Sequence, residues 1–146
     1  ARHGLVGDTL RMLGEVEAAL EPGAGTRHLE DAATITAEAY GAQHPNALRA
    51  ALSRDRLAAD AGDVEALAGL DRLARTPPDD SELRKIAWIA RAHAAALRCA
   101  APGALRARDD LAALATQVRA AQPEGGAISR DIEAARKRCG VLLARR

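Results

Sequence analysis

The sequence lacks phenylalanine, and Trp88 and Tyr40 are its only aromatic residues. β-Sheets draw on aromatic and β-branched side chains to fill their pleated surfaces, and this chain has few of either. Alanine and leucine instead supply most of its apolar material, and both are among the best helix formers, as are arginine and glutamate. The composition therefore predicts an all-α fold.

Long apolar runs and a signal peptide are also lacking. No stretch approaches the roughly 18 uninterrupted apolar residues of a membrane span, and residues 1–4 do not resemble the start of a secretory signal. The two cysteines, Cys99 and Cys139, lie in neither a CxxC motif nor a Cys/His cluster, so we expect reduced, buried thiols. These absences predict a cytoplasmic protein without a membrane segment. Because the first residue is Ala1 and not methionine, we expect the chain to be a piece of a longer protein.

Excess charge of one sign is missing as well. The 21 basic and 20 acidic residues leave a formal net charge of +1, so no overall field draws the chain to nucleic acid or to an anionic membrane. The distribution is uneven, since residues 1–103 hold 12 basic and 15 acidic side chains and residues 104–146 hold 9 and 5. The C-terminal quarter is therefore the basic end.

Proline and glycine are present at regular intervals and divide the chain into segments. They gather near residues 21–25, 41–45, 61–63, 76–80, 101–103 and 122–126, where each group is a natural helix stop. Six breaks predict seven helices, at about 5–20, 27–40, 46–60, 63–75, 81–98, 104–121 and 127–144. A length of 146 residues is that of one domain.

Each segment shows apolar residues at helical spacing. The fifth is the clearest, with Asp80 as its N-cap, whereas the third is interrupted by Arg54 and Asp55. A helix with one apolar stripe is stabilised mainly by packing against a neighbour, so short breaks predict antiparallel stacking. In the first segment, the stripe expected to face the core consists of Leu5, Met12, Leu13, Val16 and Leu20.

The stretch from Tyr40 to Asp63 resembles a tetratricopeptide repeat of the kinesin-light-chain type. In that family a helix ends in Tyr-Gly, a His-Pro turn opens the next helix, and a Gly-containing turn separates the two helices of a pair. Here Gly41, His44 and Pro45 stand at the first turn and Gly62 at the second, and Pro45 and Pro78 are 33 residues apart, close to the expected repeat of about 34.

This resemblance implies a degenerate α-solenoid in a single domain over residues 1–146. The helix pairs would cover about 5–40, 46–75 and 81–121, with a terminal helix at about 127–144. It also implies a regulatory protein–protein interaction domain within a larger bacterial signalling protein, such as a protein kinase or a transcription regulator.

Motifs for chemistry are lacking. The four histidines, His3, His28, His44 and His93, have no partner at metal-ligand spacing, and no nucleophile, phosphate-binding or dinucleotide motif occurs. The carboxylates alternate with arginine at the spacing of a solvated helix face. We therefore expect no catalytic residues, no metal, no cofactor and no enzymatic activity.

Two sets of polar residues flank the apolar stripes of the third and fifth segments. In a tetratricopeptide array the first helix of each pair lines the concave groove, so these sets would form a basic groove with one aromatic anchor, suited to an acidic peptide or a C-terminal carboxylate. The alternative is that the tryptophan covers the edge of the core and the arginines are simply solvated. The predicted partner-binding residues are Asn46, Arg49, Arg56, Arg84, Trp88 and Arg91.

Two other functions stay open at the level of sequence. The C-terminal helix carries a basic face that could contact phosphates, but acidic residues interrupt it and no aromatics accompany it; its basic residues are Arg130, Arg136, Lys137, Arg138, Arg145 and Arg146. Nucleic-acid binding is therefore the less favoured alternative. A small-ligand sensor is the other, and the sequence specifies neither a ligand nor an oligomeric state.

Overall fold

The computed structural model describes residues 3–75, 80–100 and 104–144. Within these ranges it holds seven helices and no strand, as the composition predicts. The predicted turn at Pro78, the break at 101–103, the Leu142 side chain and the last two arginines lie outside the described part. The helices are α1 (Gly4–Leu20), α2 (Thr26–Tyr40), α3 (Pro45–Asp60), α4 (Val64–Ala74), α5 (Ser81–Arg98), α6 (Ala104–Ala121) and α7 (Ala127–Ala144).

The ends of these helices follow local sequence signals. The His44 side chain accepts a hydrogen bond from the backbone N–H of Asn46, and Pro45 occupies the first turn of α3. Gly41, which ends α2, has a φ of 91°, a conformation that favours glycine. Asp80 caps α5 by accepting from the backbone N–H groups of Glu82 and Leu83. The predicted caps and turn residues at these positions are confirmed.

The chain divides into two compact units, residues 1–73 and 74–146. In the first unit, α2 packs against both α1 and α3, and α1 also contacts α3. The core of this unit lies on α2 and its neighbours, where Leu29, Ala32 and Thr36 are almost fully buried. In the second unit α5, α6 and α7 each contact the other two, so they form a three-helix bundle.

The inner face of α1 is made of glycine and not of the predicted apolar stripe. Gly4, Gly7 and Gly14 are buried, and they lie against Tyr40, Thr36 and Leu29 of α2. Side chains at these positions would collide with α2, so the two helices approach through backbone. Helix packing needs close contact, and here small residues provide it.

The prediction that the apolar side chains of α1 face the core is therefore wrong. These side chains point away from α2 and are between 43% and 81% exposed, because the glycines occupy the opposite face of the helix. We call this exposed set the outer stripe, and it comprises Leu5, Val6, Met12, Leu13, Val16 and Leu20.

A buried carboxylate lies where α3 meets α4. Asp55 is 5% exposed, and its Oδ1 accepts from the guanidinium of Arg54 at 2.7 and 2.8 Å. A Cβ at Gly69 of α4 would collide with the Oδ2 of Asp55. The two charged residues that interrupt the apolar pattern of α3 thus form an ion pair at a contact that requires glycine.

The core of the second unit contains a disulfide, so the prediction of reduced thiols is wrong. Cys99 at the end of α5 is bonded to Cys139 of α7, and both are fully buried. Forty residues separate them in sequence, and α6 lies between, so the helical spacing of either cysteine gave no sign of the pairing. The bond ties the first helix of the bundle to the last.

Candidate functional site

Two of the predicted binding residues of α3, Asn46 and Arg49, belong to a hydrogen-bond network that reaches α1. Asn46 donates from Nδ2 to the Oδ2 of Asp8 at 3.1 Å and accepts from the Nη1 of Arg49 at 2.9 Å. Tyr40 lies at the same place, since its hydroxyl is 3.5 Å from the Asp8 carboxylate and its ring stacks on His44. Asn46 and Arg49 are therefore held in a hydrogen-bonded network that joins three helices.

A second network lies two turns further along the same two helices. Glu15 of α1 accepts from the Oγ of Ser53 at 2.5 Å and from the Nη1 of Arg11 at 2.7 Å. In both networks an acidic side chain of α1 therefore contacts a polar side chain of α3. Together they give a surface of mixed charge, whereas the sequence predicted a basic one.

An open groove of about 370 Å³ begins beside this second network. We call it the α1–α3 groove. Its lining mixes apolar side chains with charges of both signs, including the exposed Arg56. The groove is lined by Glu15, Ala18, Ala19, Leu29, Ser53, Arg56, Leu57 and Asp60.

The remaining predicted site residues lie on α5, in the second unit. Trp88 is 6% exposed and belongs to the core of the three-helix bundle, in a cluster of buried residues that also includes Ala92, Leu111 and Ile132. It is therefore a core residue and not an exposed anchor, as the alternative interpretation of the sequence held. Arg84 and Arg91 are half-buried on the same helix. The predicted set is thus divided between two separate units.

Sequence reasoning missed Asp8 and Glu15 as parts of this surface. It assigned the polar side of α1 to solvent because the apolar stripe was expected to face the core. The spacing of Gly4, Gly7 and Gly14 was the available signal, since three glycines on one face of a helix mark a close approach to another helix. If the glycine face of α1 is placed against α2, Asp8 and Glu15 come to lie beside α3.

Other candidate sites are weaker. In α7, Arg136 is paired with Glu133 at 2.8 Å, and Arg119 of α6 lies 3.8 Å from the same carboxylate, so part of the basic face is neutralised. His28 is bonded to Glu17 at 2.7 Å, a contact between α1 and α2. Among the described residues no group of three or more histidine, cysteine or acidic side chains is placed to hold a metal ion.

The described residues also contain no helix with the length and apolar character needed to cross a bilayer. In comparisons with known proteins, no family model, no curated protein and no solved structure matches this chain. The tetratricopeptide resemblance therefore stays a prediction from the sequence.

Proposed function

We propose that this chain is a non-catalytic domain that binds a segment of another protein in the α1–α3 groove. The observation that carries the proposal is the combination of apolar lining side chains with an exposed arginine in one open groove. Ala18, Ala19 and Leu57 offer contact for an apolar side chain, while the exposed Arg56 offers an ion pair to an acidic group. A peptide segment presents such groups side by side.

The shape of the groove favours a peptide over a small molecule. Sites for small ligands enclose most of the ligand surface, whereas this groove is open to solvent along α3. The volume of about 370 Å³ would hold a few side chains of a bound segment. The sequence predicted an acidic peptide as the partner, and Arg56 in the lining of the groove would favour an acidic group at that position.

The tetratricopeptide resemblance supports the same location. It makes α1 and α3 the first helices of two successive pairs, and in that family such helices line the binding groove. Placement in a larger bacterial regulatory protein, such as a kinase or a transcription regulator, rests on this resemblance alone. A cytoplasmic location stays a prediction, and the Cys99–Cys139 disulfide favours an oxidising compartment instead, because cytosolic thiols are kept reduced.

Selection of peptides from a random phage-displayed library on the intact chain tests the proposal. We expect selected peptides to bind with micromolar affinity and to lose about tenfold or more in affinity to the Arg56→Glu variant, since the substitution reverses a charge at the border of the groove. Isothermal titration calorimetry measures the difference.

Arg106→Glu is the matched control, because Arg106 is an exposed arginine on α6, outside the groove. The control variant should bind the selected peptides like the unmodified chain. Equal losses in both variants, or no selected peptide at all, would contradict the proposal.

A further inference from the structure

The outer stripe of α1 leaves an apolar helix face uncovered in a single copy of the chain. Its six side chains expose on the order of 600 Å² of apolar surface, the upper end of what a monomer presents in one patch. We propose that a second copy of the chain covers this face, with the two α1 helices packed antiparallel across a two-fold axis.

The spacing along the stripe is that of helices that pack side by side. Leu5, Met12 and Val16 of the stripe, with the polar Thr9 between the first two, follow one another at steps of four, three and four residues, which is the spacing of a coiled-coil seam. Val6, Leu13 and Leu20 repeat every seven residues beside this seam and widen it. A partner helix of matching pattern would therefore lie along the whole of α1.

The order of the residues favours a second copy over an unrelated helix. A two-fold interface requires that residue i of one copy contacts residue j of the other and that j contacts i. Around a point between Met12 and Leu13, an antiparallel partner aligns Leu5 with Leu20 and Thr9 with Val16. Each apolar position of the stripe then meets an apolar or small side chain of the second copy.

The area is sufficient for such a pair. Complete cover of the stripe in both copies would bury on the order of 1,200 Å² in total, which is the lower end of the range for specific protein–protein interfaces. A dimer of modest, micromolar affinity is therefore expected, and its formation should depend strongly on concentration.

The acidic side chains next to the stripe are engaged within one copy. Asp8, Glu15 and Glu17 border the stripe, and each is hydrogen-bonded within its own copy, to Asn46, Ser53 and His28 respectively. The same acidic border disfavours a membrane surface, since interfacial helices carry basic residues beside their apolar face.

Sedimentation equilibrium of the intact chain between about 1 and about 100 μM tests the proposal. The unmodified chain should show a monomer–dimer equilibrium, and the double variant Met12→Lys/Val16→Lys should weaken the dimer by roughly 100-fold or more. The double variant Val64→Lys/Leu105→Lys is the control, since both of its residues are exposed apolar side chains outside the stripe.

A monomer at all concentrations would overturn the proposal and leave the stripe to a different partner. Equal weakening by the control variant would overturn it as well. Circular dichroism of each variant at one concentration shows that the helices are kept, so a loss of folding is recognised.

The antiparallel arrangement has its own test. Under oxidising conditions, copies carrying Leu5→Cys mixed with copies carrying Leu20→Cys should form a crosslinked dimer, whereas Leu5→Cys copies alone should not. Crosslinking among Leu5→Cys copies alone would indicate a parallel pair and overturn the proposed symmetry. Failure of the peptide-binding test on the α1–α3 groove would leave this result unaffected, because the crosslinks report the outer stripe alone.

Discussion

At the scale of single residues, Gly7 decides how near α1 can lie to α2. A Cβ at this position would be 2.6 Å from the Cγ2 of Thr36 and 3.3 Å from its backbone nitrogen. Alanine is favoured over glycine in a helix by about 1 kcal/mol, but overpacking a close contact costs about 1–3 kcal/mol. We expect Gly7→Ala to lower the free energy of unfolding by about 1 kcal/mol in urea titrations followed by Tyr40 fluorescence.

Gly140 provides the matched control for this substitution. It lies in α7 with no atom near enough to meet an added Cβ. Gly140→Ala should therefore raise the free energy of unfolding by about 0.5–1 kcal/mol, through helix propensity alone. Stabilisation by both substitutions would show that α1 does not lie directly on α2.

The contact of Asp55 with Gly69 allows a sharper test. Gly69→Ala should lower the free energy of unfolding by about 1–3 kcal/mol in the unmodified chain, because the new methyl group collides with the buried carboxylate. In an Asp55→Ala background the collision is removed, and the same substitution should be neutral or stabilising. A double-mutant cycle from urea unfolding measures the coupling between the two positions, and additive effects would contradict the contact.

Residue-scale predictions from sequence succeeded where the signal was local. The cap at Asp80 and the turn residues Gly41 and His44 depend on neighbouring residues only, and the structure confirms them. The burial of Trp88 and the pairing of Cys99 with Cys139 depend on which helices pack together. The apolar pattern within a single helix does not predict its neighbours. The predicted anchor and the predicted thiols failed for this reason.

At the scale of helices, the positions of all seven followed from the proline and glycine breaks. The orientation of a helix does not follow from its position. An apolar stripe indicates that one face of the helix will be buried, but it does not indicate which helix or which other chain will pack on that face. For α2 and α6 the cover is the core of the same unit, so Leu29 and Leu111 are buried as expected. For α1 the stripe is exposed, and glycine makes the internal contact.

The disulfide between α5 and α7 acts at this scale. Closing a loop of 40 residues reduces the entropy of the unfolded chain and corresponds to about 4 kcal/mol. We expect the double variant Cys99→Ala/Cys139→Ala to lower the free energy of unfolding of the three-helix bundle by about this amount. Urea titration followed by Trp88 fluorescence measures it.

A reductant supplies the control for this experiment. Dithiothreitol should shift the midpoint of the unmodified chain toward that of the double variant and leave the double variant unchanged. Alkylation followed by intact-mass measurement shows whether the thiols are bonded. Free thiols in the folded, air-purified chain would contradict the disulfide.

At the scale of the whole molecule, the two units carry separate spectroscopic probes. Tyr40, the only tyrosine, belongs to residues 1–73, and Trp88, the only tryptophan, lies in the core of residues 74–146. We expect a reductant to shift the transition reported by Trp88 and to leave that reported by Tyr40 in place, because the disulfide lies in the second unit. Gly7→Ala should shift the Tyr40 transition alone.

One cooperative domain over residues 1–146 makes the opposite prediction. Either change would then shift both transitions together, and circular dichroism would follow a single curve. The two fluorescence signals thus decide between the single domain predicted from the sequence and two units that unfold independently.

The glycine face of α1 also determines how often that helix opens. Three glycines lower its intrinsic helix stability by about 1 kcal/mol each, and the side chains on its outer side are about half exposed or more within one copy. The backbone amides of α1 should therefore exchange with deuterium faster than those of α2, through local opening that leaves the rest of the unit folded. If a second copy covers the outer stripe, this exchange will slow as the protein concentration rises, while the amides of α6 keep a constant rate.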